Sequence, residues 1–324
     1  MDGIQLALVN LTSPPVLAFA LGVLATLVKS DLKLPDAVYQ AISIYLLLGI
    51  GIKGGVALSE SDLSEVILPL VGTLALGVII PIGAFYALGL FTRLDRINRG
   101  ALAAHYGSTS LVTFTAGLVF LESLRVEVEG FVSTLLAVLE IPGIIIGLAL
   151  AVRGQKRELG WGESLREILT GKSILLLAGG LALGFLTGAT GYDRIEPFFG
   201  SIFTGVLTLF LLELGIVAGR RIRDLRDAGI GLVAFGVLFP IAAGTLGVVV
   251  GHITGLGVGG ATALGVLSAS SSYIAAPAAV RLALPEASPG IYLSASLGIT
   301  FPFNLIVGLP AMLAISQLVQ GFGL

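Results

Sequence analysis

Long apolar runs separated by short polar connections make up almost the whole chain from residue 14 onward. The runs lie near 14–30, 37–55, 64–91, 98–121, 129–152, 173–191, 197–218, 228–256, 259–283 and 289–317. At 1.5 Å per residue, each is long enough to cross a hydrocarbon core of about 30 Å. The pattern predicts an all-α membrane protein with ten transmembrane helices. The one sizeable polar connection, "RGQKRELGWGESLREILTGK" (153–172), predicts a surface helix over 162–171 and divides the chain nearly in half.

Basic residues sort between alternate connections. Lys29, Lys33, Arg93, Arg96, Arg99, Arg153, Lys156, Arg157, Arg166, Lys172, Arg220, Arg221, Arg223, Arg226 and Arg281 fall on one side, against Lys53, Arg125 and Arg194 on the other. By the positive-inside rule the crowded side is cytoplasmic. Both termini are then extracytoplasmic, in a bacterial plasma membrane. The opening "MDGIQLALVNLTSPP" has neither the basic region nor the small-residue cleavage site of a secretory signal, so residue 1 onward reads as mature protein.

The two halves repeat each other at an offset of about 160 residues. "GIKGG" (51–55) falls on "GIVAG" (215–219), "IIPIG" (79–83) on "LFPIA" (238–242), "EIP" (140–142) on "TFP" (300–302), and "YGSTSLVTF" (106–114) on "ASSSYIAAP" (269–277). Five spans per repeat is an odd number, so the second copy enters the membrane from the opposite side. The expected organisation is repeat 1 over 12–152, a cytoplasmic linker over 153–172 and repeat 2 over 173–320, an inverted pair of the kind many secondary transporters use. Inverted repeats also occur in channels.

The last of these matches places a hydroxyl cluster inside helix 4 and another inside helix 9. Gly107, Ser108, Thr109 and Ser110 in one, and Ser268, Ser270, Ser271 and Ser272 in the other, are poor helix-interior residues. Glycine costs up to about 1 kcal/mol relative to alanine, and serine hydroxyls compete for backbone partners. Both helices are therefore expected to break there. The N-terminus of each resuming half-helix carries about half a positive charge, so two such ends converging on one point, with hydroxyl donors beside them, suit a small oxyanion. Tyr106 and Tyr273 flank the clusters and are further candidates for the pocket wall. The competing reading is that these small residues only let helices pack closely.

Among acidic residues, Glu140 stands within helix 5 beside Pro142, and an intramembrane carboxylate is a functional candidate. With Ser110 and Ser272, and with its repeat counterpart Thr300 and the nearby Ser294, Ser296 and Asn304, it supplies oxygen donors that suit a hard cation such as sodium. It reads equally as a proton carrier. Glu213 has no acidic counterpart, and Lys53 in the matching helix is its candidate partner. His105 and His252 are too sparse for a metal site, and one local hydrogen bond each is expected. The run "GRRIRDLRD" (219–227) reads as a solvated anchor.

Composition narrows the classes. The chain has 324 residues, 56% of them hydrophobic and 12% charged, with no cysteine, which excludes disulfides, thiol catalysis and Cys-ligated metals. No Gly-x-Ser-x-Gly elbow surrounds the serines, neither histidine falls in a triad-like motif, and an aspartate-rich prenyl-transfer motif is missing. An enzyme is not expected, nor a nucleic-acid partner.

The segments "GIGIKGGVALSESDLSEVILPL" (49–70), "GSTSLVTFTAGLVFLE" (107–122), "LEIPG" (139–143) and "SASSSYIAAPAAVRLALPEASPGIYLSAS" (268–296) resemble the sodium-dependent bicarbonate transporters of the SbtA type, across nearly the whole chain. The resemblance implies ten helices in an inverted repeat, divided into a gate (helices 1, 2, 6 and 7) and a core. It also implies bicarbonate at the crossing of broken helices, sodium beside it as coupling ion, a homotrimer in membrane lipid and, in cyanobacterial members, a PII-like regulator. Gly107, Ser108, Thr109, Ser270, Ser271 and Ser272 match the substrate-side motif. Tyr273 stands where the family has Asp after the triple serine, Glu140 replaces Asp before Ile-Pro, and the connection between repeats is shorter. The expected function is secondary active import of a small monoanion by alternating access, most simply sodium-dependent bicarbonate symport. The alternatives are a proton-coupled transporter or a passive channel for another small anion.

Overall fold

The computed structural model describes residues 3–153, 161–221 and 225–323, and no strand occurs among them. Lys156, Arg157 and Arg223, counted above on the crowded side, lie outside the described residues, as does the side chain of Arg226.

A short helix that the hydropathy pattern does not predict opens the fold. Helix α1 (Gly3–Leu11) meets α2 (Pro14–Leu27) at a 62° bend. Extended Ser13 (φ −68°, ψ 142°) precedes Pro14 and Pro15, and proline forces its predecessor out of helical geometry. Then follow α3 (Asp36–Glu60) and α4 (Leu63–Phe91), the latter capped by Asp62, whose carboxylate accepts from Ser64 N at 3.1 Å. The next predicted span is two pieces, α5 (Arg96–Gly107) and α6 (Leu111–Ser123). After α7 (Val132–Val152), helix α8 (Trp161–Thr170) occupies the predicted surface segment within one residue at each end.

In the second half come α9 (Lys172–Tyr192), α10 (Phe203–Arg221) and α11 (Leu225–Ile253). A second interrupted span is α12 (Val258–Ala269) with α13 (Ala275–Ala283). The C-terminal helix, Pro289–Gly321, contains two π-helical stretches, Ser294–Thr300 and Asn304–Gly308. Among the described residues seven helices are long and apolar enough to cross a membrane, and the bent α1–α2 pair makes an eighth. The pieces of the two interrupted spans are too short to cross singly.

Glycines dictate the tightest packing. Helix α3 lies against α9, and α2 against α10. A methyl group added at Gly55 of α3 would strike the Leu181 carbonyl, and one at Gly184 of α9 the Ile52 carbonyl. Gly22 of α2 and Gly215 of α10 meet in the same fashion, each against the other helix's backbone. With no hydrophobic drive between helices in lipid, such backbone approach supplies the dispersion energy that holds a pair. The glycines of "GIKGG" and "GIVAG" thus form two equivalent docking faces. The rest of the bundle gathers α4, α5 and α7 with α11, α12 and the C-terminal helix.

Two polar contacts link the halves at their edges. Asn98 Oδ1, in the first turn of α5, accepts from Ser288 N at 2.9 Å, while Glu129 Oε1 accepts from Gly257 N at the start of α12 at 2.6 Å. The connection that follows each interrupted span therefore holds the start of the other.

Gly184→Ala is expected to lower the thermal unfolding temperature in detergent, because overpacking at a backbone contact costs about 1–3 kcal/mol. Gly179→Ala, in the same helix with open space around it, is expected to leave it unchanged or slightly raised.

Candidate functional site

Both interruptions fall on the hydroxyl clusters. Helix α5 ends at Gly107, and Ser108 (φ −95°, ψ 176°) and Ser110 (φ −105°, ψ 109°) are extended before α6 begins. Helix α12 ends at Ala269, with Ser270 extended (φ −83°, ψ 168°), and the chain turns helical again at Ala275. Gly107 is required by its neighbours as well as by the break: it packs on Pro81, and a methyl at Gly143 of α7 would overlap its carbonyl.

The two breaks cross and hydrogen-bond to one another. Ser110 N donates to Ser270 Oγ at 2.9 Å, and Ser270 Oγ donates to Leu267 O at 2.7 Å. Ser272 N donates to His105 O at 2.8 Å. Each resuming helix is capped by a serine of its own break. Ser110 Oγ accepts from Thr113 N at 3.2 Å and from Thr113 Oγ1 at 2.9 Å, and Ser272 Oγ accepts from Ala276 N at 3.2 Å. Two electropositive helix ends are thereby fixed at one place.

Beside the crossing lies a small cavity, about 10 Å³ in volume, walled by Leu47, Thr109, Ser110, Glu140, Ser173 and Tyr273 among others. That is room for about one water centre. The hydroxyls of Ser108 and Thr109 and one oxygen of Glu140 are buried with no partner in the protein. Each such group left unsatisfied costs about 1–3 kcal/mol, so a polar guest at this point recovers energy that the fold alone forgoes. Ser173 and Ile274 also line a larger pocket of about 330 Å³ on the side of α8, bounded by Glu167 and Lys172. The cavity thus adjoins a vestibule on the side that carries most of the basic residues.

A second polar group lies along the C-terminal helix. Ser271 Oγ and Ser296 Oγ are 2.8 Å apart. Thr300 Oγ1 donates to Gly236 O at 2.8 Å, so Tyr106 OH is the donor in its 2.6 Å contact with Thr300 Oγ1. Asn304 Nδ2 donates to Ala269 O at 2.7 Å, while Asn304 Oδ1 and the Ser294 hydroxyl are buried without partners. Ser294, Ser296, Thr300 and Asn304 sit in or at the edge of the π-helical turns, where wider backbone winding is frequent at functional sites. None of these four lines the cavity that holds Glu140. The predicted cation donors therefore divide into a Glu140–Ser110 group and a π-helix group, and among the described residues no cluster of three His, Cys, Asp or Glu side chains supplements either.

A family model described as the Na+-dependent bicarbonate transporter superfamily matches residues 14–317. The chain belongs to this superfamily. No curated protein matches it. It is an integral membrane transporter and not an enzyme, and its family implies a small anion as substrate.

Within this transporter one expected pairing is corrected. Glu213 does not meet Lys53; its Oε2 accepts from Leu34 N, just ahead of α3, at 3.0 Å, while the Lys53 ammonium lies 4.8 Å from the centre of the Phe203 ring. Phe203 opens α10 and Glu213 lies ten residues further along it, about 15 Å at helical rise. His105 bonds locally through Nδ1 to Ala101 O at 2.7 Å and stacks on Tyr292. The partner of His252 is instead distant in sequence: its Nε2 reaches the Ser316 hydroxyl at 2.9 Å. Tyr273 lines the cavity with its ring edge-on to Phe301. Sequence reasoning did not select Ser173, which lines the same cavity from the first turn of α9. Its signal was faint, a single hydroxyl at the edge of an apolar run.

Ser110→Ala removes the cap of α6 and is expected to cost about 0.5–2 kcal/mol, read as a lower unfolding temperature. Ser110→Thr keeps an acceptor at that position and is expected to retain most of the stability.

Proposed function

We propose that the transporter imports bicarbonate together with sodium, by alternating access around the crossed breaks. The observation that carries this reading is the meeting of the two interrupted spans beside a small cavity, with the buried hydroxyls of Thr109 and Tyr273 in its wall, and of Ser108 next to it in the break, left without a protein partner. Bicarbonate accepts at three oxygens, and Ser108, Thr109, Ser270, Ser271 and Ser272 offer hydroxyl and backbone donors without an arginine or lysine in the cavity wall. Placing such a cation at membrane depth costs about 2.5–3.5 kcal/mol on insertion scales. Two helix N-termini contribute about one positive charge between them. That suits a monoanion.

Reciprocal packing supports two inverted five-helix repeats, 12–152 and 173–320, joined by a cytoplasmic linker over 153–172. If the spans are numbered one to ten, α3 on α9 is span 2 on span 6, and α10 on α2 is span 7 on span 1. Those pairs exchange under a two-fold relation between halves, as do the Asn98–Ser288 and Glu129–Gly257 contacts approximately. Spans 1, 2, 6 and 7 then form the gate and the others the core. The glycine faces join gate helices to one another, and so leave the core free to shift against them. Both termini are extracytoplasmic in this arrangement, and the assembly is a homotrimer in the bacterial plasma membrane.

Sodium is assigned to two oxygen-rich places, Glu140 with Ser110 and the π-helical group Ser294, Ser296, Thr300 and Asn304 with Ser272 nearby in the break. Glu140 supplies the only carboxylate of either set, and an ion there neutralises it as the anion arrives.

In proteoliposomes, labelled bicarbonate is expected to enter saturably when a sodium gradient is imposed at fixed pH, and not without one. Uptake that follows an imposed pH gradient instead would assign the coupling to protons, and unsaturable, gradient-independent flux would make the protein a channel. Ser108→Ala and Ser271→Ala are each expected to reduce uptake more than about tenfold while preserving the elution profile of the folded protein; normal uptake by both would refute the site. Glu140→Gln is expected to abolish the dependence on sodium.

A further inference from the structure

The mechanism above leaves Lys53 unused. It is the one lysine on the cation-poor side of the chain, it lies within α3, and its ammonium rests on the face of Phe203, in no close ion pair among the described residues but attracted by the carboxylates of Glu122 and Glu196. Around it is a pocket of about 370 Å³, between α3, the ends of α6 and α9, and the starts of α7 and α10. The hydroxyls of Ser133, Tyr192 and Thr204 line this pocket. Glu122 and Glu196 line it too, and Glu196 is engaged by the Ser201 hydroxyl, 3.2 Å from each carboxylate oxygen.

Resting on the transport reading, we infer that this pocket is an outer binding site in which Lys53 receives a small monovalent oxyanion before it reaches the crossed breaks. A half-buried ammonium presents three donors, and it is screened by salt less than a surface charge. The neighbouring hydroxyls supply donors for the remaining oxygens. The two carboxylates oppose negative charge in proportion to its amount, so a dianion is disfavoured more than a monoanion. Thr115 of α6 also lines the pocket, and the α6 cap, Ser110, lies five residues earlier in the chain. The pocket therefore ends about 7.5 Å along the helix axis from the crossing.

Amine labelling tests the site without requiring transport. In the full chain, purified in detergent at fixed pH and ionic strength, trinitrobenzenesulfonate modification of each lysine is followed by peptide mass spectrometry. Bicarbonate is expected to slow labelling of Lys53 at least about threefold relative to that of exposed Lys29 and Lys33, and sulfate is not. No selective protection, or equal protection by sulfate, would overturn the inference. In proteoliposomes Lys53→Gln is expected to raise KM for bicarbonate about fivefold with Vmax nearly kept, the signature of lost ground-state binding, and Lys53→Arg to restore KM. A fall in Vmax at unchanged KM, or no change in either, would equally overturn it. If the wild-type protein moves no bicarbonate at all, the transport reading fails and labelling alone decides the fate of the Lys53 site.

Discussion

A helix interrupted in hydrocarbon leaves N–H and C=O groups that no water can satisfy, and the fold is organised around that cost. Here the two interruptions meet it largely with one another. The amide of Ser110 finds the hydroxyl of Ser270, and the amide of Ser272 finds the carbonyl of His105. Serines inside each break then cap the helix that resumes. Neither break is stable in lipid without the other, so they are obliged to lie together. A site built on one necessarily includes both.

Small residues serve two separate purposes in this bundle. Glycines of α2, α3, α9 and α10 bring backbones into contact, which is the ordinary role of such residues between membrane helices. Close packing of this kind accounts for these glycines, and in part for Gly107 against Gly143. It does not account for Ser108 and Thr109, whose hydroxyls are buried yet bonded to nothing in the protein. A packing residue has no need of an unsatisfied donor, whereas a ligand site does. The division also separates the glycine docking surfaces from the polar seam where the breaks cross.

Charge follows the same economy. The cavity at the crossing contains one carboxylate and no basic side chain, so positive potential there comes from backbone dipoles fixed by folding. Fixed dipoles need no counter-ion. A full ammonium is kept at Lys53, in a wider pocket, where its charge acts at longer range.

Much of this was legible in the residues: the helix runs, the places where two of them break, the surface helix after the fifth and the glycine motifs. All are consequences of local propensity or of apolar length, which a single segment expresses without knowing its neighbours. The short helix α1 escaped because its nine residues are too few to cross the membrane and the Ser13-Pro14-Pro15 break separates them from the next run, and the π-helical turns because they depend on contacts such as Thr300 with Gly236, 64 residues apart. The partners were decided only by the tertiary structure. Ser110 meets Ser270 across 160 residues, Glu140 shares a cavity with Ser110 and Tyr273 but not with Thr300, and Glu213 turns to Leu34 rather than Lys53. A hydrogen bond needs two groups within about 3 Å, and only the docking of whole helices brings residues so distant in the chain to that separation.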